Sequence, residues 1–295
     1  MNPLTCAQAL LAARSAGLER LDAQLLLLHA LGKAAGDRAW LLAHDTDELA
    51  QPVAEAFGLL VERRAGGEPL AYIVGSKAFF GLELQVDARV LVPRPDTETL
   101  VQWSLDVLLA PAMSADPQIL DLGTGSGAIA LAIAHTLRAD GRSASVHAVD
   151  ASAGALDVAR ANARSLGLDV EFVESCWLRQ VKGSFDLIAS NPPYIASTDP
   201  HLAALAYEPL QALAAGADGL DDIRRIIDEA PAHLPPGGWL LLEHGYDQAG
   251  RVKELLARRG FETVQSRMDL AGIERCSGGQ WPAAPAGNGA SGARR

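Results

Sequence analysis

The sequence predicts an α/β protein with a mostly parallel sheet, preceded by a small all-α bundle. Three observations carry this prediction. From residue 118 onward, short apolar runs alternate with longer segments of helical periodicity. Such alternation is typical of parallel strands covered by helices on both faces. Before residue 76, apolar positions recur only at helical spacing, and residues 261–268 and 274–280 are predicted to be two final strands that pair as an antiparallel hairpin.

Composition bounds the class of protein. The chain has 295 residues, of which 49% are hydrophobic, enough for one large or two ordinary domains with a substantial core. Asp and Glu outnumber Lys and Arg by 36 to 25, giving a net charge of −11, which disfavours direct binding of nucleic acid through its phosphates. Cys6, Cys176 and Cys276 lie far apart, and no spacing of Cys or His predicts a metal site or a disulfide framework.

No segment has the pattern of a secretory leader, and the longest apolar runs, such as Leu25 to Leu28, are too short to span a bilayer. We therefore expect a reduced, cytoplasmic protein without a membrane partner.

Residues 1–75 are predicted to form the helical bundle, with a role in substrate recognition. Its last long helix should cover about 50–65, because Pro52 suits a first turn and Gly66-Gly67 suits a helix end. Residues 76–92 then alternate in polarity around Gly81, which predicts a β-hairpin linker.

A third region, residues 93–281, is predicted to be the α/β domain. It opens with Pro93-Arg94-Pro95-Asp96-Thr97-Glu98, where Asp96 or Thr97 should cap a helix that runs to about residue 109. Predicted strands cover 119–121, 145–150, 170–174, 185–190, 239–243, 261–268 and 274–280, and predicted helices cover 128–137, 153–165, 221–233 and 248–259. The Ala, Gly and Pro-rich tail, 282–295, is predicted to be disordered.

A glycine loop follows the first strand of this domain and opens a helix. Gly123, Gly125 and Gly127 allow a tight turn and let backbone N–H groups approach a ligand, a pattern that also fits dinucleotide binding. Asp150 ends the next strand, where a carboxylate can accept both hydroxyls of a ribose; a helix cap is the less favoured alternative. Asp121, just before the glycines, suits a cationic amino-acid ligand and favours S-adenosylmethionine over a nicotinamide dinucleotide.

The tetrapeptide Asn191-Pro192-Pro193-Tyr194 follows the fourth strand, so it should lie at the edge of a crevice. Asn offers a side-chain acceptor, the prolines stiffen the backbone and leave its carbonyls free, and Tyr provides a flat face. This combination is a receptor for a planar NH2 group. A simple turn after a strand is the alternative interpretation.

Together these motifs resemble the class I S-adenosylmethionine-dependent methyltransferases, and most closely the release factor glutamine methyltransferases of the HemK/PrmC family. The segments that carry the resemblance are Gly67-Glu68-Pro69, Pro93 to Glu98, Asp121 to Gly127, Ala148-Val149-Asp150, Asn191 to Tyr194, Tyr207-Glu208-Pro209-Leu210 and Leu240 to Gly245.

The resemblance implies a Rossmann-like class I methyltransferase domain with a seven-stranded, mostly parallel sheet and a C-terminal antiparallel hairpin. It implies S-adenosylmethionine as cofactor, S-adenosylhomocysteine as product and peptide chain release factors as protein substrates, and we expect a monomer. The cofactor-binding residues are then Asp121, Gly123, Thr124, Gly125, Ser126, Gly127, Asp150, Trp177 beside the adenine, and Asn191. The glutamine site is Asn191, Pro192, Pro193 and Tyr194, of which Asn191, Pro192 and Tyr194 are the catalytic candidates.

One position departs from the family pattern, because Cys176 stands where an Asp next to the Trp is expected. That Asp would accept a hydrogen bond from the adenine amino group, and a thiol accepts only weakly. Cofactor affinity is therefore expected to be lower, unless a backbone group substitutes.

Other functions remain open at this stage. The same chemistry could act on a glutamine of a ribosomal protein or on adenine N6 of nucleic acid, the latter disfavoured by the acidic charge balance. A nicotinamide-dependent oxidoreductase would need a proton donor that the sequence does not show, and a non-catalytic binding protein would not need the intact tetrapeptide. Gly278-Gly279-Gln280 matches the tripeptide that release factors carry, but it falls in a predicted strand and is interpreted as coincidence, with self-methylation as a remote alternative.

Overall fold

The computed structural model describes residues 4–111 and 113–282, so residues 283–295 of the predicted tail lie outside the described residues. The N-terminal region consists of helices α1 (Cys6–Ser15), α2 (Arg20–Ala30), α3 (Arg38–Ala43), α4 (Gln51–Ala65) and α5 (Leu70–Val74). Leu26, Leu27 and Leu28 of α2 are fully buried among these helices. This burial of apolar side chains, rather than helix propensity alone, stabilises such short helices.

A β-hairpin follows, made of strands β1 (Ser76–Phe79) and β2 (Leu82–Gln85) in antiparallel register. The Asn162 side chain fastens it to the α/β domain, since Oδ1 accepts the Gln85 N–H at 2.7 Å and Nδ2 donates to the Gln85 carbonyl at 3.0 Å. Asn162 is 1% exposed, so both hydrogen bonds are shielded from water and hold the hairpin in a fixed place.

The predicted seven-stranded sheet is confirmed. Its strands are β3 (Gln118–Leu122), β4 (Ser145–Asp150), β5 (Glu171–Glu174), β6 (Leu187–Ser190), β7 (Trp239–Glu243), β8 (Glu262–Met268) and β9 (Glu274–Gln280). They lie in the order β5-β4-β3-β6-β7-β9-β8. The first five are parallel, while β9 runs antiparallel to both β7 and β8.

Among the described residues, five α-helices accompany the sheet: α6 (Glu98–Leu108), α7 (Ala128–Ala139), α8 (Ala153–Leu166), α9 (Asp221–Glu229) and α10 (Ala249–Arg259). Two apolar cores result, one that contains Trp103 and Leu131 and another that contains Ile223 and Leu256. No helix within the described residues is both long enough and apolar enough to cross a bilayer.

The predicted cap of α6 is wrong. A 3-10 turn, Pro95–Thr97, precedes the helix, and neither Asp96 nor Thr97 makes a side-chain capping hydrogen bond. Thr97 already has helical backbone angles, φ −64° and ψ −21°, whereas a capping residue is normally extended. Both side chains have other partners instead: Asp96 pairs with Arg275 at 3.3 Å, and the Thr97 hydroxyl faces Asn191.

The tripeptide Gly278-Gly279-Gln280 lies in β9, as predicted. A Cβ atom on Gly278 would lie 2.4 Å from Leu241 Cδ2 and 2.6 Å from the Leu240 carbonyl oxygen. Glycine is therefore required at position 278 by the close approach of neighbouring backbone and side chain, which explains the first of the three matching residues without any reference to release factors.

The order of the strands determines where the site lies. β3 is flanked by β4 on one side and by β6 on the other, so the connections after β3 and β6 diverge at this point. Ligands of open α/β sheets bind at such a point, outside the carboxyl ends of the strands. The glycine loop after β3, Asp150 at the end of β4 and Asn191 after β6 are thereby brought to one edge.

Candidate active site

Asp121 anchors the glycine loop from behind. Its Oδ2 accepts the Thr124 O–H at 2.6 Å and the Ala130 N–H at 3.2 Å, which ties the loop to the start of α7. The side chain is fully buried, Oδ1 has no hydrogen-bond partner among the described residues, and burial raises the pKa of this carboxyl to about 7. A buried carboxyl group thus holds the glycine loop in place through these two hydrogen bonds.

Gly123 has φ +71°, and a Cβ atom there would meet the Trp177 ring at 3.2 Å. Trp177 itself has φ +54°, a left-handed conformation that is unfavourable for a bulky residue. Its indole lies against Gly123, and its Nε1–H donates to Asp222 Oδ1 at 2.9 Å. Strained residues of this kind cluster at functional sites, where the surroundings hold them in place.

Asp150 presents a carboxylate at the end of β4. Oδ2 accepts the Gly125 N–H at 2.9 Å, and Oδ1 accepts the Ser152 N–H at 2.9 Å. Burial raises the pKa of Asp150, and these backbone donors oppose the rise. The cap of α8 is provided by Ser152, whose hydroxyl accepts the Ala155 N–H. The alternative interpretation of Asp150 as that cap is therefore wrong.

Asn191 has its two amide ends in different surroundings. Nδ2 donates to Thr97 Oγ1 at 3.2 Å, whereas Oδ1 accepts no hydrogen bond from the described residues. Further along the tetrapeptide, the Tyr194 hydroxyl faces Glu243 Oε1 at 3.4 Å, and the Tyr194 carbonyl accepts from Gln248 Nε2 at 3.0 Å. Burial raises the pKa of the Tyr194 phenol, so this group stays protonated. The motif therefore presents an unpaired acceptor beside a neutral aromatic ring.

Two cavities meet at Asn191. The first, of about 240 Å³, is bounded by the glycine loop, Asp150 and Trp177. The second, of about 330 Å³, is bounded by Arg94 and Tyr194. Asn191 lines both cavities, together with Leu91 and Ala212. A donor bound in one cavity and an acceptor bound in the other would have Asn191 between them.

The structure brings most of the predicted site residues to these cavities. Gly123, Gly125, Asp150, Trp177, Asn191 and Pro193 line the first, and Asn191 and Tyr194 line the second. Asp121, Thr124, Ser126, Gly127 and Pro192 line neither. The first three of these are buried polar residues at or just before the loop. Direct contact of Asp121 with a ligand stays a prediction, since in this conformation its carboxylate supports the loop.

Cys176 lines the first cavity beside Asp222. Arg225 Nη1 donates to Cys176 Sγ at 3.4 Å. The Arg225 guanidinium is therefore close enough to pair with an Asp side chain if one stood at position 176. Sequence reasoning gave Asp222 no role. Its carboxylate, bonded to Trp177, is a second acceptor at this end of the cavity.

Glu243 is the most notable residue that sequence reasoning missed. It ends β7, is 1% exposed, and its Oε2 has no hydrogen-bond partner among the described residues. Burial raises its pKa to about 7, reinforced by Asp96 and opposed by the Thr97 and Tyr194 hydroxyls and by Arg275. Its position in the sequence could have identified it as a site residue, because a carboxylate that ends a parallel strand lies at the same edge of the sheet as Asp150.

Comparisons with known proteins agree with this geometry. The family model described as "Methyltransferase small domain" matches residues 105–265, and the one described as "PrmC N-terminal domain" matches residues 4–75. A protein of Xylella fastidiosa (strain Temecula1) named "Release factor glutamine methyltransferase" is 48% identical over 93% of this chain and 98% of its own length. A protein of Burkholderia pseudomallei with the same name is 46% identical over 95% and 98%.

The chain belongs to the release factor glutamine methyltransferase family. The sheet also has the fold of a methyltransferase from Pyrococcus furiosus, with a TM-score of 0.52 at 21% identity over 70% of this chain and 92% of that one. The predicted family and the class I methyltransferase fold are thereby confirmed.

S-adenosylmethionine is the cofactor of this family of enzymes, and the first cavity fits it. The left-handed glycines leave room at Gly125, where a Cβ would meet nothing within 4 Å, so backbone and ligand can approach closely. Each Asp150 oxygen accepts one backbone N–H and keeps a further lone pair for a hydroxyl of a ribose. Trp177 adds a flat apolar face to the same lining. The roles of the individual residues remain predictions.

Proposed function

We propose that this chain methylates the side-chain amide nitrogen of the glutamine in the Gly-Gly-Gln motif of peptide chain release factors. The observation that carries the proposal is the position of Asn191, which lines both cavities and leaves Oδ1 without a hydrogen bond from the described residues. The relatives of this chain are named for the same activity.

An amide nitrogen is a poor nucleophile because its lone pair is delocalised into the carbonyl. When bound, S-adenosylmethionine supplies a methyl group on a sulfonium centre. The residues of the chain have to hold the amide so that its nitrogen points at this methyl group. Asn191 Oδ1, which lies where the two cavities meet, can take one amide hydrogen. The Pro192 carbonyl accepts no hydrogen bond from the described residues and is proposed to take the other, which requires a small movement because Pro192 lines neither cavity in this conformation. Orientation of this kind is worth up to roughly 7–11 kcal/mol.

Tyr194 provides the flat wall of the acceptor cavity. Its phenol is held near Glu243 and its backbone by Gln248, so the ring is fixed before substrate arrives. As the nitrogen takes up the methyl group, positive charge develops on its N–H groups, and Asn191 and Pro192 can stabilise it. The methylated nitrogen is then acidic and releases one proton to water, so no general base is needed.

The proposed setting is a cytoplasmic monomer that acts on protein and does not bind nucleic acid directly. The acidic charge balance, −11 overall, supports this exclusion of nucleic acid.

The experiment measures methyl transfer from radiolabelled S-adenosylmethionine to purified release factor. A factor with its Gly-Gly-Gln glutamine changed to alanine, a ribosomal-protein fraction and duplex DNA serve as the other acceptors. Label on the intact factor alone is the expected result. Label on the ribosomal proteins or on DNA, with none on the factor, would overturn the assignment of the substrate.

Asn191→Ala is expected to lower kcat by roughly 10²–10³-fold or more, because it removes a hydrogen-bond acceptor that faces the developing positive charge. Affinity for S-adenosylhomocysteine, measured by calorimetry, should change far less. Full activity of this variant would contradict the mechanism.

A further inference from the structure

We propose that Gln248 is a positioning residue that holds the acceptor cavity in the shape needed for methyl transfer. Gln248 directly precedes α10, is 7% exposed, and lines neither the cofactor cavity nor the acceptor cavity. The inference rests on the proposed function in one respect, because it takes Asn191 and Tyr194 as the residues that meet the substrate amide.

The side-chain amide of Gln248 joins three stretches of backbone. Its Oε1 accepts the N–H of Gly245, just after β7, at 2.8 Å. Its Nε2 donates to the carbonyl of Tyr194, after β6, at 3.0 Å and to the carbonyl of Asp218, before α9, at 3.3 Å. The side chain therefore cross-links the ends of two neighbouring strands and the segment that leads into a helix.

The chemistry of these partners leaves one orientation for the amide. A backbone N–H can only donate and a carbonyl can only accept, so the amide oxygen must face Gly245 and the amide nitrogen must face Tyr194 and Asp218. Position 248 thus needs one acceptor and two donors on the same planar group. Glutamate has nearly the same shape as glutamine, but its ionised carboxylate offers acceptors only.

The hydrogen bonds of Gln248 reach two walls of the acceptor cavity. One wall is Tyr194, whose backbone Gln248 holds directly. Another is Leu213, whose carbonyl accepts the Ile195 N–H at 2.9 Å. The segment that starts at Leu213 is thus tied to Ile195 at one end, and through Asp218 to Gln248 at the other. Loss of the Gln248 amide would release both walls together.

Gly219 gives independent evidence that the Tyr194 carbonyl has a fixed place. A Cβ atom on Gly219 would lie 2.1 Å from the Tyr194 carbonyl oxygen and 2.9 Å from Gln248 Nε2. The absence of a side chain at position 219 therefore leaves room for this hydrogen bond. An alanine there would displace the same oxygen atom that Gln248 holds.

The experiment measures kcat and KM of Gln248→Met with purified release factor, because methionine keeps the length of the side chain and removes its three hydrogen bonds. The value of kcat should fall by roughly 10–100-fold, since a misplacement of about 1 Å can cost 10² in rate. Affinity for S-adenosylhomocysteine should be retained, because Gln248 does not line the cofactor cavity. The calorimetric stoichiometry gives the fraction of folded chain and excludes unfolding as the cause. An unchanged kcat would overturn the inference.

Gln248→Glu tests the direction of the hydrogen bonds. Its carboxylate can still accept the Gly245 N–H, but at neutral pH it has no proton to give to the two carbonyl oxygens. This variant should lose at least as much of kcat as Gln248→Met. A glutamate variant with the wild-type kcat would show that the two donated hydrogen bonds are not needed.

A double variant separates positioning from a merely structural role. If Gln248 acts through the tetrapeptide, Gln248→Met should cost far less in an Asn191→Ala background than in wild type, because the acceptor that it helps to place is already gone. Single-turnover transfer of the radiolabelled methyl group measures both rates. Losses that multiply would show that Gln248 acts independently of Asn191, and would contradict the inference.

Gly219→Ala should reproduce the loss of kcat, because it displaces the Tyr194 carbonyl from the other side of the same contact. Gly141→Ala is the matched control. Gly141 has φ +69°, close to the φ +72° of Gly219, but a Cβ there would meet nothing within 4 Å. Gly141→Ala should therefore carry a similar backbone strain and keep the wild-type kcat. Equal losses in the two variants would mean that strain, and not displacement of Tyr194, lowers kcat.

A second readout does not depend on the substrate. The chain has four tyrosines, so labelling with fluorotyrosine gives few fluorine resonances, and that of Tyr194 is identified by its loss in Tyr194→Phe. It should move in Gln248→Met and in Gly219→Ala, and stay in place in Gly141→Ala. If wild type fails to label the release factor, the proposed function fails, while this resonance still decides whether Gln248 positions Tyr194. A resonance unchanged in Gln248→Met and Gly219→Ala would refute the inference.

Discussion

At the scale of single residues, Asp150 is the side chain on which cofactor binding should depend most. It lines the cofactor cavity and holds the N–H groups of Gly125 and Ser152. Asp150→Ala should weaken S-adenosylhomocysteine binding by roughly 10–100-fold, as expected for the loss of one or two hydrogen bonds to a charged group. Calorimetry measures the change, with Asp150→Asn as the isosteric control. Unaltered affinity in the alanine variant would mean that the ribose lies elsewhere.

Cys176 offers the opposite kind of test, in which affinity should rise. Replacing the thiol by a carboxylate adds a strong acceptor to the lining, and Arg225 Nη1, 3.4 Å from the sulfur, can balance the new charge. Cys176→Asp should therefore bind S-adenosylhomocysteine several-fold more tightly, since a hydrogen bond is worth about 1 kcal/mol. Cys176→Ser is the control for size and polarity. If the Cys176→Asp and Cys176→Ser variants bind S-adenosylhomocysteine with equal affinity, Asp222 already supplies the hydrogen-bond acceptor for the adenine amino group.

At the scale of the elements, the C-terminal hairpin depends on close backbone packing. A Cβ on Gly278 would lie 2.4 Å from Leu241 Cδ2, so β9 would have to move away from β7. Gly278→Ala should lower the free energy of unfolding by about 1–3 kcal/mol, the usual cost of overpacking. Urea denaturation measures it.

Gly250→Ala is the matched control for this change. Gly250 lies in α10, where a Cβ would meet nothing within 4 Å. Alanine is the better helix former by up to about 1 kcal/mol, so this variant should be neutral or more stable. Equal losses in the two variants would show that the destabilisation at Gly278 does not come from the clash.

The elements themselves follow largely from local sequence. The predicted ranges of β4, β7 and β9 coincide with the observed ones. For β7 the reason is a short apolar run bounded by glycine-rich and polar residues, whereas the polar and glycine-rich β9 has no such run. The place of the site follows from the rule that ligands bind at the carboxyl ends of strands. Thr97 shows the limit of this reasoning. Its local pattern is that of a helix cap, but its hydroxyl is used by Asn191, which only the fold brings near.

The same limit applies to Glu243 and Asp222. Glu243 lies in the segment Leu240 to Gly245 that carries the family resemblance, but that segment assigned it no role, and Asp222 belongs to no such segment. Both side chains contact residues that are distant in sequence. The segment Tyr207-Glu208-Pro209-Leu210 is a further case. Glu208 is buried, accepts the Val92 N–H at 3.0 Å and pairs with Arg94, which fastens this segment over the acceptor cavity. A local pattern indicates that such residues matter, whereas the tertiary fold decides what they bind.

At the scale of the whole molecule, two buried acids should make stability depend on pH. The pKa of Asp121 is raised from 3.8 to about 7, and that of Glu243 from 4.5 to about 7. Between those values the folded chain holds protons that the unfolded chain has released. The unfolded state thus binds fewer protons, and these two groups make the free energy of unfolding fall as pH rises from about 5 to 7. Each contributes on the order of 1–3 kcal/mol.

The test compares the free energy of unfolding of Glu243→Gln with that of wild type at each pH. The contributions of groups that titrate in both proteins cancel in this difference. One of them is His244, whose pKa is lowered by burial and whose contribution has the opposite sign below its ordinary value of 6.5. The variant should gain stability relative to wild type between pH 5 and 8, with most of the gain complete by about pH 7. Asp121→Asn should show the same trend, measured by urea denaturation at each pH. A constant difference for either variant across this range would mean that the replaced acid is already ionised in the folded chain at these pH values.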